Sequence, residues 1–197
     1  GGVATLDNVQ VLDNVKDYVN GHVLDGAIVA MGKTTITNSY FKGNKGRYGG
    51  AIAQTGTDET LTVTGTTFED NEAIFGAAIY DEAGPLVVDN CKFYNNSGIG
   101  PGSPGTSDSQ GGAILVMDSG ATVNIKGSEF INNSADCGGA ISLAGVDSEA
   151  IIDECTFTEN IAVDGGAVYV WTQDATDVTI KGSTFTKNTA QDGAGGA

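Results

Sequence analysis

The sequence predicts an all-β solenoid, a single-stranded right-handed parallel β-helix of about seven coils, and two recurring landmarks carry that prediction. The first landmark is Phe-x-x-Asn, at Phe41/Asn44, Phe68/Asn71, Phe93/Asn96, Phe130/Asn133, Phe157/Asn160 and Phe185/Asn188. The second is Gly-Gly-Ala-Ile or a close variant, at Gly49 to Ile52, Gly76 to Ile79, Gly111 to Ile114, Gly138 to Ile141 and Gly165 to Val168, with an echo at Gly193 to Ala197. The phenylalanines advance by 27, 25, 37, 27 and 28 residues, so residues 1–197 read as one repeating domain.

Three short strands are expected in each repeat. Counting back from each phenylalanine, the fifth residue is Ile36, Val63, Val88, Ile125, Ile152 or Ile180, and the seventh is Thr34, Leu61, Leu86, Val123, Ala150 or Val178. Two positions with that spacing share one face of a strand. The second residue back is always small: Ser39, Thr66, Cys91, Ser128, Cys155, Ser183. Between the two inward sets the parity slips, and Gly65, Gly127 and Gly182 stand at the slip, where glycine bends most easily.

A third apolar run follows each Gly-Gly, with Ile52, Ile79, Ile114, Ile141 and Val168 facing inward and Val116, Leu143 and Val170 behind them. No tight-hairpin signal joins the strands of one repeat, so equivalent strands of successive repeats must pair, parallel and in register. Phenylalanine then stacks on phenylalanine, and asparagine amides hydrogen-bond along the stack. Seven rungs at about 4.8 Å make a column about 34 Å long.

Residues 1–33 read as a degenerate first coil and 34–197 as regular coils. Asn20 with Asp25-Gly26-Ala27-Ile28 reproduces the Asn-to-Gly-Ala-Ile spacing without the phenylalanine, while Leu12, Val15 and Val19 suggest a competing short capping helix over 11–19. Both termini echo the Gly-Gly-Ala landmark, which is expected of a segment processed or excised from a longer repeat protein.

The formal net charge of −16, with Arg47 the single arginine, makes nucleic acid and anionic membranes poor partners. No apolar run approaches the roughly 20 residues of a membrane span. Cys91 and Cys155 precede their phenylalanines by two residues and should lie two rungs, about 9.5 Å, apart, beyond disulfide reach. Cys137 stands in another file, so three small thiols are expected and no metal cluster.

The paired Phe-x-x-Asn and Gly-Gly-Ala-Ile landmarks resemble the repeat of the chlamydial polymorphic outer-membrane proteins, and more broadly the pectin-lyase-like β-helices of surface adhesins. The resemblance covers roughly Thr34 to Ala197 and departs from the pattern at Gly76-Ala77-Ala78. It implies a secreted, surface-exposed module of adhesion or surface coating.

Candidate sites lie where the repeat is broken. The step of 37 residues inserts about ten into coil 3, in Ser97 to Gln110, with Ser97, Pro101, Pro104, Ser107, Asp108 and Gln110 as the candidate interaction loop. Acidic residues after each third strand, Asp58/Glu59, Asp81/Glu82, Asp118, Asp147/Glu149 and Asp174/Asp177, would form one turn file. Asp81, Glu82, Asp118, Asp147 and Asp174 are the candidate Ca²⁺ ligands of that file. Tyr80, Tyr169 and Trp171 point outward by strand parity and could stack on a sugar or a neighbouring molecule.

Asn95 and Asn132 open glycosylation-type sequons that overlap the Phe-x-x-Asn landmark. His22 and Arg47 read as surface residues, so the base of a polysaccharide lyase or hydrolase is not visibly assembled. The expectation is a non-enzymatic extracellular structural or adhesin-like module that requires no cofactor and associates with itself through uncapped ends. Host or surface glycans and proteins are further candidate partners. A pectate-lyase-like enzyme or carbohydrate-binding module is the alternative.

Overall fold

In the computed structural model, described for residues 2–15, 26–56, 59–98, 109–117, 122–144, 149–171, 177–191 and 195–196, the strands of each coil fall into three long parallel sheets. Sheet one stacks Val3–Asp7, Lys33–Thr37, Leu61–Thr64, Leu86–Asp89, Val123–Lys126, Ala150–Asp153 and Val178–Lys181. Sheet two stacks Gln10–Leu12, Tyr40–Lys42, Thr67–Glu69, Lys92–Tyr94, Glu129–Ile131, Thr156–Thr158 and Thr184–Thr186. Sheet three stacks Ile28–Ala30, Ile52–Gln54, Ile79–Asp81, Ile114–Met117, Ile141–Ala144 and Val168–Trp171. Ile161–Ala162 and Thr189–Ala190 form a fourth, short pair.

The register is the one the landmarks require. Phe68 pairs with Phe41 and Phe93, and Phe130 with Phe93 and Phe157. Their rings stack at 4.7 to 5.0 Å between centroids, filling the narrow interior. Full burial of each such ring contributes about 1.5–3 kcal/mol. Ile36, Val63, Val88, Ile125 and Ile152 close one core with Ile52, Ile79, Ile114 and Ile141.

The parity slip between sheets one and two is a left-handed backbone position in every coil, with Gly65, Gly127 and Gly182 joined by Asn8, Asn38, Asn90 and Glu154 at positive φ. One residue there in the αL region turns the chain and lets inward residues face the tube on both sides. Gly49, Gly76, Gly111, Gly138 and Gly165 take the same conformation where the chain enters sheet three, and a Cβ on any of them would strike the backbone three residues on.

The first coil differs from expectation. Gln10–Leu12 is a strand and Val15 sits in a parallel bridge with Lys45, so no capping helix starts at residue 11. Val11 pairs with Phe41 and takes the phenylalanine place, with Leu6 paired to Ile36. The asparagine place belongs to Asn14, whereas Asn20 lies outside the described residues.

Candidate functional site

Three features stand out on this frame: an asparagine ladder, a buried carboxyl without a partner, and an aromatic strip on the outside of sheet three.

The ladder runs through Asn14, Asn44, Asn71, Asn96, Asn133, Asn160 and Asn188. Each Nδ2 donates to the Oδ1 of the next asparagine at 2.8 to 3.0 Å. Each backbone N–H donates to that same oxygen at 2.9 to 3.1 Å. The second Nδ2 hydrogen of Asn71, Asn96, Asn133, Asn160 and Asn188 goes to the phenylalanine carbonyl of the coil below. An amide has both a donor and an acceptor in one short planar group, so only asparagine closes this pattern at the rung spacing.

Asp81 and Gln54 lie at the last position of their sheet-three strands, two residues after Ile79 and Ile52, and pair with each other in register. The file continues through Val116 and Leu143 to Val170, so both polar side chains face the interior. Asp81 is 0% exposed and Gln54 2%, and Asp81 Oδ1, Asp81 Oδ2 and Gln54 Oε1 have no hydrogen-bond partner. Gln54 Nε2 donates to the Glu59 carbonyl at 2.5 Å. Burial pushes the Asp81 carboxyl up to about 7. The expected acidic turn file therefore loses Asp81, because the strand runs one residue further than the turn assignment allowed. Glu82, Glu149 and Asp177 are exposed, while Asp58, Asp118, Asp147 and Asp174 lie outside the described residues. Among the described residues, no group of three or more His, Cys, Asp or Glu side chains is placed to hold a metal.

Tyr80 projects outward as parity requires, yet it is only 6% exposed, which corrects its assignment as an exposed aromatic. It packs with Ala53, Leu115 and Ala144 against Tyr48, Phe75 and Met117, a second apolar cluster outside the tube. Tyr48 stacks on Phe75 at 5.1 Å, and the Arg47 guanidinium stands 5.4 Å from the Tyr48 ring. Arg47 is half-buried with Nε unpartnered, so it is not the simple surface residue expected. Tyr169 is half-buried and Trp171 is 53% exposed, both on the outer face. His22 lies outside the described residues.

The insertion leaves and re-enters the column at one place. Ser97 bridges Glu72 and Ser134, and Gln110 bridges Phe75 and Cys137. The Ser109 N–H and hydroxyl both donate to Asp136 Oδ2, at 2.9 and 2.7 Å, and a Cβ on Gly98 would touch Ser109. Pro101, Pro104, Ser107 and Asp108 lie outside the described residues. Cys91, Cys137 and Cys155 form no disulfide with one another, and burial raises Cys91 to about 11. Asn95 and Asn132 are exposed at positive φ. No helix among the described residues is long and apolar enough to cross a membrane.

The sequence count that placed Val116 and Leu143 inside also places Asp81 and Gln54 inside; that signal was present and outweighed by their polarity. The spacing Val11-x-x-Asn14 likewise announces the first rung once valine is allowed for phenylalanine. No curated protein and no solved structure matches the chain. A family model described as "Right handed beta helix region" matches residues 2–185. With nearly the whole column spanned by that match and three in-register parallel sheets beneath it, the chain belongs to the right-handed β-helix family.

Proposed function

We propose that the protein is a non-enzymatic extracellular structural module, adhesin-like in the manner of the chlamydial outer-membrane repeats it resembles, whose columns join end to end into a filament or sheath. The observation that carries this reading is the polarity of the asparagine ladder. Among the described residues, its lower rung presents Asn14 Oδ1 with no donor and its upper rung presents the Asn188 N–H with no acceptor. One more rung in the same register sets the top of one copy on the bottom of the next. Ile180 then meets Leu6, Phe185 meets Val11, and Lys181 meets Asp7, following the paired files of sheets one and two. Ile180 is 41% exposed at that open edge.

A head-to-tail contact of this kind is heterologous and propagates rather than closing on itself. The exposed ion pair sets register and adds at most about 1 kcal/mol; edge pairing and apolar contact supply the rest. Light scattering on the purified chain across a wide concentration range tests the reading. Growth in mass with concentration, reduced by Lys181→Asp, is expected; a folded monomer at every concentration contradicts it.

A glycan-directed role is the second reading, supported by the outward Tyr169 and Trp171 on one strand. Turnover of pectate, alginate or related glycans that stops on Ca²⁺ chelation would favour it over the structural one.

A further inference from the structure

The corner where sheet three turns back to sheet one holds an interior polar pair that the ladder does not explain. Gln54 and Asp81 are neighbours on successive rungs. The file is otherwise apolar, with Ala30 below and Val116, Leu143 and Val170 above. Gln54 is oriented by its own turn: Nε2 is held by the Glu59 carbonyl, and the Gly84 α-carbon packs against that amide so closely that a Cβ would collide with it. The Gln54 carbonyl oxygen is then left without a donor beside a carboxyl whose two oxygens also have none.

Three buried acceptors without a donor are not a stable arrangement, since each unsatisfied group costs about 1–3 kcal/mol and a bare carboxylate more. A single proton on the carboxyl converts one of the three into a donor and lets it reach a second. We propose that Asp81 is a proton-binding site inside the column, its protonated carboxyl donating to Gln54 Oε1, and that loss of this proton loosens the turn over residues 82–85 that covers it. The alternative, a bound cation, has only three side-chain oxygens here, whereas Ca²⁺ takes six to eight.

The titratable groups on the neighbouring turns, among the described residues, are Glu59 and Glu82, both acids; the rungs below and above present Gln54 and Val116. Among the described residues no cation faces the carboxyl to stabilise its ionised form, and burial is the cause that raises it. The turn itself is lightly held. The Glu82 N–H donates to the Gln54 carbonyl and the Leu61 N–H to the Pro85 carbonyl, each at 3.0 Å, and Gly84 sits at φ 140°, a conformation a side chain would strain. When Asp81 ionises, water must reach it, entering on this proposal through the four-residue turn that follows Asp81 in the chain.

The test is a ¹³C NMR titration of the aspartate side-chain carboxyls from pH 4 to 9, with amide hydrogen exchange over residues 80–86, on the wild-type chain and Asp81→Asn. One aspartate resonance titrating near neutrality and absent from Asp81→Asn is expected. Protection at 82–86 should fall about tenfold or more between pH 5 and 8, beyond the intrinsic pH effect, in the wild type alone. Asp81→Val, which copies Val116 one rung up, supplies a second proton-free variant should Asp81→Asn fold poorly. An Asp81 carboxyl already ionised at pH 5, or equal loss of protection in the variants, overturns the proposal. A midpoint that moves when Ca²⁺ or Na⁺ is added overturns it in favour of a cation.

Discussion

Asn133 and Asp81 are both fully buried and polar, yet the Asn133 side chain takes part in four hydrogen bonds whereas the Asp81 carboxyl takes part in none. A parallel column repeats every position at the rung spacing, so a side chain that both donates and accepts can satisfy itself on its own copies. A carboxylate only accepts, and its neighbours above and below are a valine and an amide whose Nε2 donates to the Glu59 carbonyl. Buried polarity is therefore stable in this fold where the chemistry is self-complementary and the file is unbroken, and responsive where it is neither.

Breaking the satisfied side should give the largest effect. Asn133→Ala strands the Asn96 N–H, one Asn96 Nδ2–H and the Phe93 carbonyl, and should lower unfolding free energy by about 3 kcal/mol or more in chemical denaturation. Next is ionisation at Asp81. Its folded carboxyl is raised from 3.8 to about 7, so the folded chain holds a proton that the unfolded chain releases in between. Stability from this group is complete below about pH 4, falls as pH rises, and levels off above about pH 7, a loss of about 4 kcal/mol. The difference in denaturant midpoint between the wild type and Asp81→Asn across that window isolates the term, because other carboxylates cancel.

Smaller effects sharpen the contrast between the middle and the edge of the ladder. Asn188 at the upper rung is only half-buried, so water can take the place of its side chain beside Asn160, and Asn188→Ala should cost about 1 kcal/mol or less, well below Asn133→Ala. The least is expected of Cys91→Ser: Ser39, Ser128 and Ser183 occupy the same file, each donating to the carbonyl two residues back, and the Cys91 thiol contacts Asp89 O in the same way. A change within about 0.5–1 kcal/mol by thermal unfolding is predicted, together with slow alkylation of Cys91 in the folded chain, since burial keeps its thiol protonated.

The parts legible in the sequence are those that repeat. Phe41 through Phe185 and Asn44 through Asn188 fix the register because each needs its own copy on the next rung, and the small residues before each phenylalanine mark the close corner. Single departures are less legible. Asp81 reads with the acids that follow each third strand, while its interior position depends on how far the strand Ile79–Asp81 extends before the turn. Tyr80 obeyed parity and still became buried, since cover from Tyr48, Phe75 and Met117 is a tertiary matter that alternation cannot encode. Val11 and Asn14 carried the first rung with the landmark aromatic replaced.

Side-chain amide hydrogen exchange of the asparagines, followed by NMR, tests the self-satisfied column most directly. The account predicts strong protection of the Nδ2 hydrogens of Asn71, Asn96 and Asn133, with Asn14 and Asn188 exchanging far faster at the two edges in samples dilute enough to hold the column as a monomer. Uniform, solvent-like exchange along the ladder would contradict it.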